Sequence, residues 1–87
     1  MIGENLGSAG QVEPTIPHAV VSSVVDGLSP VRAWREYLKF TQLEVADKLG
    51  VSQSAYAQME NPQGNPRHKT IKRIALALGI VEGQLEI

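Results

Sequence analysis

The tripeptide Gly50-Val51-Ser52 constrains this chain more than any other feature. Before it, Thr41-Gln42-Leu43-Glu44 has the form of a capping box: the Thr41 hydroxyl can accept from the Glu44 amide, and the Glu44 carboxylate can reach back to the Thr41 amide. The helix so opened places Val45, Ala46 and Leu49 on one face and stops at Gly50, which tolerates positive φ. After it, Ser52 can cap a second helix over about 53–60, with Ala55, Tyr56 and Met59 inward. Three residues leave space only for a sharp corner between the two helices. Ala46 is small where the helices approach, Gly50 bends the chain, and Val51 plugs the corner beneath it.

Helical periodicity extends on both sides of this unit. Ile16, Val20, Val24 and Leu28 recur every four residues, flanked by Val21 and Val25, and predict a helix between Pro17 and Gly27. Ser29 as N-cap and Pro30 at the first helical position start another, with Val31, Trp34, Arg35 and Leu38 inward. Asn61-Pro-Gln-Gly-Asn-Pro66 can only be a loop. Ile71, Ile74, Ala75 and Leu78 define a further helix closed by Gly79, and a short last turn is expected near 82–85. The fold class is all-α. Residues 1–14, with three glycines in the first eleven and no apolar period, read as a flexible tail. Residues 15–28 read as an N-terminal helical extension, and 29–87 as the main domain. About seventy residues is a marginal size for independent stability, so a contribution from a second chain is expected.

Composition narrows the function. With no cysteine there is no disulfide framework, thiol nucleophile or Cys-ligated zinc finger. Two histidines, His18 and His68, stand fifty positions apart, which makes a histidine-based metal site improbable. The longest apolar run, Ile74 to Leu78, is five residues, far short of a membrane span. No secretory signal is visible, and the chain reads as soluble and cytoplasmic. No nucleophile–base pair or phosphate-cradling glycine loop is present, so no enzymatic activity and no cofactor are expected. The net charge of −1 hides a segregation. Residues 1–31 carry three acids and no base, whereas 32–87 carry all eight bases against six acids. Within 61–81, Arg67, Lys69, Lys72 and Arg73 stand without any acid.

The outward set of the helix after Ser52 is Gln53, Ser54, Ala57 and Gln58. Glutamine can pair bidentately with adenine N6 and N7, and serine can donate or accept. A solvated helix face would more often carry Glu and Lys. Trp34 and Tyr56 fall at core positions rather than forming a stacking platform or a catalytic acid. Arg35 lies on an otherwise apolar face and needs a carboxylate.

Residues 30–79 resemble the helix-turn-helix domain of the phage repressor family (Cro/C1, also called XRE). The resemblance is carried by Leu38-Lys-Phe-Thr-Gln42, Glu44-Val-Ala46, Leu49-Gly-Val-Ser52, Met59-Glu-Asn61 and Ile74-Ala-Leu-Ala-Leu-Gly79. It implies a compact five-helix domain that binds double-stranded DNA, usually as a homodimer, preceded here by the extra N-terminal helix. It implies base reading by Gln53, Ser54 and Gln58. Phosphate contacts are implied for Gln42, Ser52, Asn61, Arg67, His68 and Lys69, the first also favoured by its place at a helix N-terminus. Arg35 and Glu60 match an ion pair joining the first domain helix to the end of the recognition helix. Two departures stand out. Lys39 occupies a position often held by glycine; left-handed geometry there costs about 1–2 kcal/mol, which predicts an altered turn. Pro62 replaces a frequent glycine and predicts a different path for the following loop.

The implied function is a sequence-specific transcriptional repressor, nucleoid-associated when bound. An alternative is set by Ile16-Pro-His-Ala-Val-Val and Ser29-Pro-Val-Arg-Ala-Trp-Arg-Glu36, which look similar to the antitoxin branch of the family. Such members bind RelE/HigB-type toxins and repress their own operon.

Overall fold

A computed structural model describes residues 15–87. The tail expected over residues 1–14 lies outside the described residues. Among the described residues five α-helices follow in order: α1 (His18–Val25), α2 (Pro30–Tyr37), α3 (Gln42–Leu49), α4 (Gln53–Met59) and α5 (His68–Leu78). A 3-10 turn, Glu82–Leu85, ends the domain. The described residues contain no strand, as the sequence predicts.

Three of these helices, α2, α3 and α4, begin at side-chain caps. The Ser29 hydroxyl accepts from the Arg32 amide at 3.2 Å, with Pro30 behind it at the first helical position. Thr41 and Glu44 close the reciprocal box, at 3.0 Å for the hydroxyl and 2.7 Å for the carboxylate.

Four helices end alike. At the end of α3 the Val51 amide donates to the Ala46 carbonyl and the Gly50 amide to Asp47, the paired bonds of a Schellman motif around a left-handed residue. Gly79 ends α5 in the same way, with Ile80 donating to Ala75, and Gly27 ends α1, with Leu28 donating to Ser23. After α2 the same pair runs from Phe40 to Arg35 and from Lys39 to Glu36, with Lys39 itself at φ 67°. The turn expected to change at Lys39 is therefore kept. The two backbone bonds and the seating of Phe40 against the core hold a lysine in a conformation that glycine adopts freely.

One core joins these elements: Val20, Val31, Trp34, Val45, Ala46, Leu49, Tyr56, Ile74, Ala75, Leu78 and Leu85 are buried. α1 packs on α2 and contributes Val20, fully enclosed, while Ile16, Val24 and Leu28 rest half-buried against the cluster. The flanking valines differ, since Val21 and Val25 are exposed. The Trp34 indole N–H donates to the Gln84 carbonyl at 2.7 Å, and the ring meets Tyr37 edge-on with centroids 5.9 Å apart. Gln84 also spans outward: its side chain accepts from the Val81 amide at 2.8 Å and donates to the Thr15 carbonyl at 2.7 Å.

On α4 the inward stripe is Tyr56, Met59 and Glu60, with Ala57 half-buried and Ala55 exposed. The sequence expectation had these two alanines the other way round. Burying the charged Glu60 rotates the inward stripe toward Ala57, a shift that an apolar period alone does not predict.

Candidate nucleic-acid interface

The α3–turn–α4 unit sets the site. The Schellman end of α3 delivers Ser52, whose hydroxyl accepts from the Ala55 amide at 3.1 Å and restarts the helix. α4 then presents Gln53, Ser54 and Gln58 to solvent. These side chains lie at i, i+1 and i+5, so they share one broad outward face.

Behind that face runs a polar chain. The Arg35 guanidinium binds Glu60 bidentately: Nη2 donates to Oε1 at 3.2 Å, and Nε to Oε2. Its Nη1 donates to the Phe40 carbonyl at 2.9 Å, tying the pair to the α2–α3 turn. Gln42 Nε2 donates to Glu60 Oε1 at 3.0 Å, and Gln53 Nε2 donates to Gln42 Oε1 at 3.3 Å. A continuous path of side-chain bonds thus leads from α2, through Glu60 at the C-cap of α4 and Gln42 on α3, to Gln53, the first residue of α4.

The electrostatics follow from burial and these bonds. Burial pushes the Glu60 carboxyl up, but hydrogen bonds from Arg35 and Gln42 and the adjacent guanidinium outweigh it and hold the carboxyl below its ordinary value. The hydrogen bond to Glu60 raises the Arg35 value against the opposing effect of burial. Tyr56 is raised by burial and then by the neighbouring Glu60 charge; its hydroxyl is enclosed and makes no well-formed hydrogen bond among the described residues. The phenol therefore stays neutral and packs as core.

The expected phosphate contacts divide into two groups. Gln42 is half-buried at the N-terminus of α3, with both ends of its amide already engaged, while Ser52 is exposed and spends its hydroxyl on the cap. Asn61 is exposed and begins a tight turn: its side chain accepts from the Gln63 amide at 2.9 Å, and its carbonyl from the Gly64 amide at 2.8 Å. Pro62 fits the second position of that turn, which proline's fixed φ favours. Gly64 lies close to that turn: a Cβ there would stand 3.1 Å from the Asn61 carbonyl oxygen, so a side chain would push the turn open by a few tenths of an ångström.

Arg67, His68 and Lys69 are exposed at the start of α5, and Arg67 shares a cleft with Gln58. His68 Nε2 sits 3.0 Å from the Glu82 carboxylate, a contact unforeseen in the sequence. With Glu86 these two bring their ligand atoms within 4.8 Å of one another at the surface. Among the described residues no helix is long and apolar enough to cross a membrane.

Comparison with known proteins agrees with this geometry. A family model described as helix-turn-helix matches residues 31–84, well over half of the chain, and spans α2 to the 3-10 turn. No curated protein and no solved structure matches the chain. With its matched segment coinciding with the capped corner and the exposed α4, the chain belongs to the Cro/C1-type (XRE) helix-turn-helix family of DNA-binding transcription regulators.

Proposed function

We propose that this protein is a sequence-specific repressor that binds duplex DNA as a homodimer and inserts α4 into the major groove. Gln53, Ser54 and Gln58 read base edges. Gln42, Ser52, Asn61, Arg67, His68 and Lys69 hold the backbone, while Arg35 and Glu60 fix the pose of α4 without touching DNA. Residues 15–28 serve as an extension of the 29–87 domain. The observation that carries this reading is the neutral, hydrogen-bonding face of α4, exposed in front and anchored from behind by the Arg35–Glu60–Gln42–Gln53 chain. Phosphate contacts supply affinity in such an arrangement, and base contacts supply discrimination. Selection of bound sites from random duplex DNA at fixed salt tests it. Enrichment of a two-fold symmetric site, with half-sites about 34–36 Å apart, is expected. Recovery of no preferred sequence would refute it.

A second reading, an antitoxin that also binds a RelE/HigB-type toxin, is favoured by one feature. α1 leaves the apolar side chains of Val21 and Val25 exposed. Substituting both by Asp should abolish co-purification with such a toxin while leaving DNA binding intact. Deleting α1 would be a poorer test, because Val20 belongs to the core.

A further inference from the structure

Arg32 stands outside the set of residues expected to meet DNA, yet the fold brings it to their side. A surface cleft of roughly 300 Å³ lies between the outer face of α2 and the end of α4, and Arg32, Gln42, Gln58 and Asn61 share its wall. Gln42, Gln58 and Asn61 are proposed contacts to nucleic acid, and among the described residues Arg32 is the one cation in the wall. Its guanidinium is aimed by Glu36 one turn along α2, since Nε donates to the Glu36 carboxylate at 2.7 Å. That bond occupies one of five N–H donors. No protein acceptor is within hydrogen-bond reach of the terminal nitrogens among the described residues, which leaves a planar fork of the shape that binds phosphate oxygens bidentately. Asn61 adds a second donor, because its side-chain oxygen is turned to the Gln63 amide and its Nδ2 remains available. Among the described residues the other charge in the wall is Glu60, which is buried and neutralised by Arg35.

We infer that this cleft receives one backbone phosphate of the duplex read by α4, with Arg32 as its charged ligand and Glu36 as the residue that positions Arg32. The inference rests on the DNA-reading role proposed for α4. It explains why an exposed i,i+4 ion pair, worth only a few tenths of a kcal/mol as a helix contact, stands at this place.

The test uses the full chain, a duplex it selects from a random-sequence pool and a scrambled duplex of equal length, with affinities measured from about 50 to 200 mM salt. Arg32→Gln should weaken binding to both duplexes by the same factor, about 5–10-fold per protomer near 0.1 M salt, and reduce the slope of log K against log salt by about 0.9 per protomer. An unchanged slope would overturn the assignment while leaving base reading by α4 intact. Failure of the wild-type chain to select any duplex would instead remove the DNA-reading role and this inference with it. Arg32→Gln also unmasks Glu36, so the same loss is measured in a Glu36→Gln background. Persistence of the slope change there supports a direct phosphate contact. Its disappearance would show that Arg32 only screens Glu36, and would overturn the proposal.

Discussion

Arg35 and Glu60, twenty-five residues apart in sequence, form a bidentate ion pair that ties α2 to the C-cap of α4. The Arg35 side chain is 12% exposed and that of Glu60 only 4%, so the pair is largely withdrawn from water. Removing one member leaves the other charge buried without compensation. Arg35→Ala is therefore expected to cost about 3–5 kcal/mol in unfolding free energy. Replacing both residues with apolar side chains of similar volume should cost much less. Denaturant titration of the single and double variants checks both statements; an Arg35→Ala variant as stable as the wild type would contradict the first.

The same pair sets the response to acid. The folded-state Glu60 carboxyl is held below its unfolded value, so the stabilisation it gives is fully present above the unfolded carboxylate range, near pH 4.3. It is lost as pH falls through the lower folded value. Stability should hold from neutrality down to about pH 5 and then decline. Glu60→Gln should lower stability at pH 7 and flatten the acid limb, as thermal melts from pH 7 to pH 3 would show. An equally steep acid limb in that variant would assign the decline to other carboxylates.

Lys39 is the one non-glycine residue at positive φ among those described. Its side chain is exposed and its conformation costs about 1–2 kcal/mol relative to one that glycine takes freely. Part of that gain is offset by the larger unfolded-state entropy of glycine. Lys39→Gly should therefore stabilise the fold by about 0.5–1 kcal/mol, read as a rise in the denaturant midpoint with unchanged slope. A fall in the midpoint would mean that Lys39 makes stabilising contacts outweighing its strain.

Gln84 ties the chain entering α1 to the end of the domain, since it meets Thr15, Val81 and, through its carbonyl, Trp34. Gln84→Ala keeps the carbonyl but removes both side-chain bonds, at an expected cost of about 1–2 kcal/mol. The loss should be local. Amide hydrogen exchange ought to quicken in α1 and at Val81 more than in α3 and α4. Uniform acceleration across the domain would show instead that Gln84 supports the whole core.

Local chemistry made much of this fold legible. The Thr41–Glu44 box, the Ser29 and Ser52 caps and the Gly50 and Gly79 ends are decided by residues within five positions of one another. The glutamine face on α4 follows from the start of that helix and a 3.6-residue period. What escaped depends on distant chain segments. Gln84 reads as an ordinary polar residue until Trp34 and Thr15 are brought to it. Ala55 and Ala57 exchange places because Glu60 is buried, a consequence of Arg35 standing behind it. Lys39 violates the local preference for glycine, and only the seating of Phe40 reveals why the turn survives. Likewise Arg32 reaches the end of α4 through packing rather than through any motif.

Base reading by the exposed face of α4 is the step on which the proposed function turns. Its most direct test compares Gln53→Ala and Lys69→Gln on the selected duplex and on a scrambled duplex at one salt concentration. Gln53→Ala should lose about 1–3 kcal/mol on the selected duplex alone and relax one base position, whereas Lys69→Gln should weaken both duplexes alike. Equal losses on both duplexes for Gln53→Ala, or no loss on either, would contradict it.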